Sequence, residues 1–349
     1  MSTDIRARDL GETYSYLRIA MVGLLIGLAV SVFWQGFPLL GSVSAYYYTP
    51  AQAIFIGALI GLAACMIALK GTNVVEDVFL NIAGMFAALV AIVPTSRGED
   101  HRAALNACRE AAQQLSEKAS PAPDCPSLEA LEAATRANVV NNMAALVVVG
   151  VLGLIAAGAF AWRNRPPGKG FWWGFTTTVV VIAAGTATSW RATQWFIDHA
   201  HFIAAFGLLV CILVVAMANA SRRAGTQPDG TQGRERTLNN GLAAARGALI
   251  RSPRKLNFYA WFAWVMLASA AVGVVLVVND RLSLFWLEIF VTLLFVIFWT
   301  WQTFEQFPRP VVARGTSRAS RRSHRAVVHR LGRRPRSLQQ APVPAAPPE

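Results

Sequence analysis

The chain has 349 residues, of which 54% are hydrophobic and only 15% charged, and its mean hydropathy is +0.41. Soluble domains carry about a quarter charged residues, so this composition excludes a largely disordered chain and argues against one large soluble enzyme. The net charge of +13 would suit nucleic acid, but the basic residues flank apolar stretches, which is typical of proteins at a membrane surface. We therefore predict an all-α, polytopic transmembrane helix bundle without a nucleic-acid partner.

Eight apolar stretches are long enough to cross a bilayer core of about 30 Å, which takes roughly 20 helical residues. Helix is expected because every backbone amide in hydrocarbon must be satisfied within its own segment. The first stretch follows a short terminus, residues 1–16, and no Ala-x-Ala cleavage site comes directly after it, so it is interpreted as a span. The predicted spans, grouped as 17–93, 139–220 and 258–303, are 17–33, 51–69, 75–93, 139–162, 171–189, 201–220, 258–278 and 284–303.

The distribution of Lys and Arg predicts the orientation. With both termini in the cytoplasm, 25 of the 32 basic residues lie on the cytoplasmic side and seven outside. Basic residues concentrate in cytoplasmic loops, so we expect an N-in, C-in protein of a bacterial plasma membrane. An even number of spans agrees with this arrangement.

Segment 94–138 is then exterior, and its pattern predicts two helices separated by a proline-rich turn, the second opened by Ser127. Cys108 and Cys125 flank that turn. In an oxidising exterior they would form a disulfide that closes the hairpin; the alternative is two free buried thiols.

Two further segments are polar. Residues 221–257 form a basic cytoplasmic loop, and residues 304–349 form a basic, Pro/Ala-rich tail that is expected to be disordered. Ten arginines lie between Arg309 and Arg336. They suit anionic membrane lipids, or they act only as an orientation signal.

Glu288 is the most informative side chain, because an ionisable group inside an apolar span is costly and usually has a partner. We expect a cationic or hydrogen-bond donor partner, such as His199, His201, Arg191 or a tyrosine hydroxyl. The functional interpretation is an outward-facing polar pocket for a headgroup, an ion or a proton. The structural alternative is an interhelical hydrogen bond that fixes packing, or a carboxylate that reaches the outer interface.

Other polar side chains are expected on the same side of the membrane. They are Asp198, His199 and His201 at the start of the sixth span, and Tyr46, Tyr47 and Tyr48 before the second. The tyrosines are equally explained by an aromatic interface belt. Residues two apart on a helix point in different directions and zinc takes three or four ligands, so we predict no metal site.

On the inner side, Lys70, Glu76 and Asp77 form a cytoplasmic charge cluster around the loop between the second and third spans. Acidic residues are favoured at a helix N-terminus, so capping and an ion pair explain this cluster.

Several chemistries have no motif in the chain. It lacks a P-loop, a mid-span lysine for retinal and histidines on two spans for haem. No cofactor is expected.

Several motifs nevertheless resemble a widespread, uncharacterised family of bacterial six-span membrane proteins. Ser-Val-Ser-Ala-Tyr-Tyr-Tyr-Thr-Pro at 42–50, with Phe-Ile-Gly at 55–57, is similar to its signature. The third span carries Asn-Ile-Ala-Gly at 81–84 and Ala-Ile-Val-Pro at 91–94. His199 or His201 with Ala-Ala-Phe at 204–206 resembles the fourth span, and Phe-Trp-Leu-Glu at 285–288 with Phe-Trp-Thr-Trp at 298–301 resembles the last.

The resemblance covers residues 15–95, 199–220 and 258–303. It implies a six-span fold, distantly similar to the Frag/DRAM group linked to lipid handling, and it marks the same three tyrosines, histidine pair and Glu288. The chain departs from the family in two ways. Tyr48 stands where the family often has histidine, and the fourth and fifth spans with the hairpin look like an insertion.

The leading expectation is a non-enzymatic membrane protein that binds a lipid headgroup or small solute near Glu288, or that joins a membrane-protein partner in an assembly. The first alternative is a membrane-embedded hydrolase or transferase acting on outer-leaflet lipid, with Glu288 and a histidine as general base and acid. The second is a channel or transporter, although no inverted repeat is evident.

Overall fold

The structure is a computed structural model that describes residues 3–37, 39–71, 73–95, 105–106, 108–114, 125, 127–163, 169–223, 257–279 and 281–306. Every long regular element in these residues is helical, as predicted. In chain order the helices are α1 Thr3–Trp34, α2 Gln52–Ala68, α3 Val74–Ile92, α4 Leu128–Arg163, α5 Lys169–Arg191, α6 Thr193–Arg223, α7 Phe258–Val278 and α8 Leu284–Gln306. A 3-10 helix, Ser44–Tyr48, lies between α1 and α2.

Seven helices in the described ranges are long and apolar enough to cross a membrane. The eighth apolar helix, α2, has 17 residues and a length of about 25 Å at 1.5 Å per residue. A multi-pass membrane protein is therefore the class that the helices indicate. Most of the predicted 221–257 loop, the 304–349 tail and the turn of the 94–138 hairpin lie outside the described residues.

Three helices begin at least eight residues before the predicted spans. The first starts at Thr3 instead of residue 17, and the sixth at Thr193 instead of residue 201. The predicted second hairpin helix and the fourth span are one continuous helix of 36 residues, α4, which Ser127 caps by accepting from the Ala130 amide at 3.1 Å. Hydropathy marks only the lipid-facing length of a helix, and these helices continue through polar residues beyond it.

Six helices pack in a closed ring. The order of contacts is α1, α2, α3, α6, α7, α8 and back to α1. The hairpin of α4 and α5 lies outside the ring against α3 and α6, and few of its side chains are buried.

Helix α3 packs closely between α2 and α6. A Cβ atom added at Gly84 would lie 2.8 Å from the Ala63 carbonyl oxygen, and one at Gly207 would lie 2.6 Å from the Phe86 ring. Small residues permit this approach between helices. The interior of the ring is filled by apolar side chains, among them Met21, Met66, Phe295 and Phe298.

Polar side chains concentrate at the two ends of the ring. We call the end that carries Ser44–Tyr48 the tyrosine end, and the end where α3 begins the Glu76 end. Within segment 94–138, residues 108–114 are helical, and Cys108 and Cys125 form a disulfide with a Cα–Cα distance of 6.0 Å, as predicted.

Candidate functional site

The connection between α1 and α2 folds onto the tyrosine end of the ring. Tyr46 is 1% exposed and packs on Phe285 of α8 with a ring-centroid distance of 6.3 Å. Tyr47 is also buried and contacts the rings of Tyr48 and Phe55. The three tyrosines therefore hold this connection against α2 and α8, and two of them are core residues instead of an exposed aromatic belt.

Glu288 lies at this end, four residues into α8 and so roughly 6 Å from the first residue of the helix. Ser42 Oγ donates to its two carboxylate oxygens at 3.1 and 2.8 Å, and the Val43 amide donates to Oε2 at 2.5 Å. The predicted hydrogen-bond donor is present, but it is not a histidine, Arg191 or a tyrosine hydroxyl. The donors come from the connection itself, because it folds across the end of the ring.

A chain of hydroxyl groups continues from Glu288 towards α3. Ser42 Oγ lies 2.6 Å from Ser44 Oγ, which lies 3.3 Å from Thr95 Oγ1. The Tyr48 hydroxyl donates to the Thr95 carbonyl at 3.3 Å. A hydroxyl has one proton, so Ser42 accepts from Ser44 when it donates to Glu288. These hydrogen bonds join the α1–α2 connection and the segment that follows α3 to α8.

His201 is buried at the same end, but it has a different partner. Its Nδ1 lies 2.7 Å from the Val93 carbonyl oxygen. A carbonyl oxygen only accepts, so Nδ1 carries the proton. This hydrogen bond joins α6 to the end of α3.

His199 and Asp198 lie apart from this network. His199 is exposed, its Nδ1 is 2.9 Å from the Trp195 carbonyl, and its ring stacks on Trp195 at 4.9 Å. Asp198 accepts from Gln194 Nε2 at 3.2 Å. The structure therefore brings Glu288, His201 and the tyrosines to one end without placing His199 or Asp198 among them. Among the described residues, no group of three or more His, Cys, Asp or Glu side chains is placed to hold a metal ion.

Tyr47 has an environment that affects its ionisation. Burial raises the pKa of its phenol, and a hydrogen bond with the Gln52 side chain opposes this effect. The phenol therefore stays protonated to a higher pH than an exposed tyrosine.

The predicted charge cluster at the other end divides in two. Lys70 Nζ and Asp77 form an ion pair at 2.7 Å, with the Lys70 side chain 70% exposed, and Asn73 caps α3 by accepting from the Glu76 amide at 2.9 Å. The Glu76 carboxylate instead points into the ring and is 2% exposed. It does not belong to the surface cluster.

Glu76 joins three helices. Its Oε1 accepts from Asn219 Nδ2 of α6 at 3.0 Å and from Gln302 Nε2 of α8 at 3.1 Å. Helices α3 and α8 are not neighbours in the ring, so the second hydrogen bond crosses its interior. Asn219 and Gln302 were missed in the sequence because neither is charged, although both are amides within apolar helices.

A second carboxylate, that of Glu305, joins α8 to α7 at this end. Tyr259 donates its hydroxyl proton to Glu305 at 2.6 Å. The Phe258 and Trp301 rings stack beside it at 4.2 Å. Asn257 Nδ2 donates to the Ala220 carbonyl at 2.7 Å and so ties α7 to α6.

Comparison of the chain with protein-family models, with curated proteins and with solved structures finds no match. The resemblance to the six-span family and the Frag/DRAM group stays a prediction.

Proposed function

We propose that the chain is a non-enzymatic, multi-pass protein of a bacterial plasma membrane that binds a lipid headgroup or small solute at Glu288. The tyrosine end would face the exterior and both termini the cytoplasm. The observation that carries the proposal is a carboxylate held by hydrogen-bond donors of the α1–α2 connection at the end of a helix ring.

The chemistry of this carboxylate indicates what it would bind. An ionised carboxylate only accepts hydrogen bonds and has about four lone-pair sites. Glu288 is partly exposed, and its donors are one rotatable hydroxyl and one amide. A ligand with ammonium or hydroxyl groups would add to these donors or replace Ser42, which can turn its proton elsewhere.

The depth of Glu288 suits a headgroup. It lies about one turn from the start of α8, and several aromatic side chains near it are exposed, among them Phe33, Trp34 and Trp286. Amphipathic aromatic side chains are enriched at the membrane–water interface. A headgroup at this interface would reach the carboxylate without entering the hydrocarbon.

The proposed orientation is supported by two independent features. The excess of Lys and Arg favours the N-in arrangement. Cys108 and Cys125 form a disulfide, and disulfides persist in oxidising compartments. The segment that contains them precedes α4 on the side of the tyrosine end.

The binding proposal is tested with the purified protein by native mass spectrometry and thermal shift against ethanolamine, choline, glycerol and anionic headgroup lipids. Glu288→Gln is the variant. Glu305→Gln is the matched control, because it makes the same change near the other end of α8. We expect Glu288→Gln to lose a retained lipid or a stabilisation that wild type and Glu305→Gln both keep. Equal binding by the three folded proteins would refute the proposal.

Orientation is tested separately with single cysteines at two exposed positions. Ser283→Cys lies at the tyrosine end, and Lys70→Cys lies at the Glu76 end. A membrane-impermeant maleimide should label the first in intact cells and the second only after permeabilisation. The reverse pattern would refute the proposed topology.

One observation favours transport as a second candidate. Polar contacts occur at both ends of the ring, and the Glu76–Gln302 hydrogen bond spans its interior at one of them. Such contacts would serve as gates for a solute passing between the six helices. Solute or proton flux into proteoliposomes that is no greater than into empty liposomes would exclude this candidate.

The hydrolase alternative needs a histidine beside Glu288, whereas His201 is hydrogen-bonded to the Val93 carbonyl oxygen.

A further inference from the structure

The interior of the Glu76 end contains a polar layer that the proposed function does not use. Glu76, Asn219 and Gln302 come from three helices and are 2%, 0% and 1% exposed. The orientation of the Gln302 amide follows from the carboxylate beside it. Only the NH₂ group of an amide can donate, so Nε2 faces Glu76 and the amide oxygen faces away.

Two buried side-chain atoms of α8 have no hydrogen-bond partner within the described structure. One is the acceptor Gln302 Oε1, and the other is the donor Trp299 Nε1. Trp299 is also 1% exposed. Buried polar atoms are normally paired. The two residues are three apart on α8, where Cβ atoms are about 5–6 Å from each other.

A buried charged residue of α1 lies at a similar depth. Arg18 is 5% exposed and lies 16 residues before the end of α1, as Glu76 lies 16 residues before the end of α3. Both helices run towards the tyrosine end, so the two residues are each roughly 24 Å below it at 1.5 Å per residue. Gln302, 18 residues into α8, lies at roughly 27 Å on the same scale.

The two atoms restrict what could join them. A ligand must accept from the indole N–H and donate to the amide oxygen. An ammonium group cannot accept, and a carboxylate or carbonyl group cannot donate. A hydroxyl group can both accept and donate a hydrogen bond, and water is the smallest molecule that carries one. A buried water typically makes two to four hydrogen bonds to otherwise unsatisfied groups.

We propose that the Glu76 end holds a bound water that accepts from Trp299 Nε1 and donates to Gln302 Oε1. This water continues the chain of hydrogen bonds from Glu76 through Gln302 to Trp299. It makes this end of the ring a hydrated site inside the helix bundle. The inference is independent of ligand binding at Glu288, which lies at the opposite end of α8.

The proposal is tested by hydroxyl-radical footprinting of the full chain in lipid nanodiscs, after equilibration in O₂-free H₂¹⁸O. Water bound next to a side chain yields radicals there even when the side chain is buried. We expect Trp299 to gain ¹⁸O at a rate approaching that of Trp286, which is 50% exposed on the same helix. Phe285, also 1% exposed, is the buried reference and should stay unmodified.

A variant separates a bridging water from general solvent access. Gln302→Met keeps the length of the side chain and removes Oε1, so Trp299 labelling should fall several-fold while Trp286 labelling is unchanged. Gln194→Met, at an exposed glutamine of α6, should leave both rates unchanged. If Gln302→Met does not fold, the wild-type comparison decides. Unlabelled Trp299 in wild type, labelling without ¹⁸O, or equal labelling in folded Gln302→Met would overturn the proposal.

Discussion

Replacing Glu76 by methionine should destabilise the helix ring, although sequence alone places this residue in a surface charge cluster. Methionine keeps the length of the side chain and removes both oxygen atoms. Gln302 Nε2 then loses its acceptor inside the ring, whereas Asn219 Nδ2 keeps its second acceptor, the Val215 carbonyl at 3.0 Å. The loss should therefore fall mainly on the bond between α3 and α8.

The magnitude follows from the two hydrogen bonds. Interhelical hydrogen bonds in membrane proteins contribute about 0.6 kcal/mol on average and at most about 1.7 kcal/mol. Two of them give a loss of about 1–3 kcal/mol, which lowers the melting temperature by several degrees. Glu76→Gln should lose less, because its amide oxygen still accepts from both neighbours.

The assay is thermal unfolding in one detergent, with Asp77→Asn as the matched control. Asp77 is the next residue, and its ion-pair partner Lys70 is 70% exposed, so the control should change stability by about 0–1 kcal/mol. A melting temperature for Glu76→Met equal to that of Asp77→Asn would refute the buried position of Glu76 in the ring.

Three further predictions concern other parts of the chain. Reduction, or replacement of Cys108 and Cys125 by serine, should speed proteolysis of segment 94–138, since a closed loop of this size contributes about 3 kcal/mol; reductant should not affect the serine variant. Gly84→Ala should lower the free energy of unfolding by about 1–3 kcal/mol through overpacking, and so lower the melting temperature, whereas Gly23→Ala, with open space around it, should not; equal effects would contradict the close packing of α3. In an alkaline absorbance titration, one tyrosine should ionise above the usual value of 10.0, because burial raises the pKa of Tyr47. That phase should be missing in Tyr47→Phe. The stability from neutral Tyr47 should be present below the ordinary value and lost as pH rises through the raised pKa.

The helical fold was predictable because a bilayer forces long apolar stretches into helix. The ends of the helices were less predictable. The polar turns from Thr3 and from Thr193 carry no apolar signal, yet they continue α1 and α6. The order of helices in the ring depends on packing between residues far apart in the chain, such as Gly207 against Phe86, and no local pattern encodes it.

The candidate site was predictable where a charge stood in an apolar span and not where its partners were neutral. Glu288 was identified, but its donors, Ser42 and Val43, lie in a connection far away in sequence. Glu76 was assigned to a helix cap because acids are common there. Only the rotation of α3 in the ring turns Asp77 outwards and Glu76 inwards.

The most direct test of ligand binding at Glu288 is a high-resolution cryo-EM map of the protein extracted into nanodiscs with its native lipids. We predict density outside the polypeptide within hydrogen-bonding distance of the Glu288 carboxylate, and its loss from a map of Glu288→Gln. A map in which only Ser42 and Val43 contact the carboxylate, with no further density, would contradict the account and leave Glu288 as a packing contact between α8 and the α1–α2 connection.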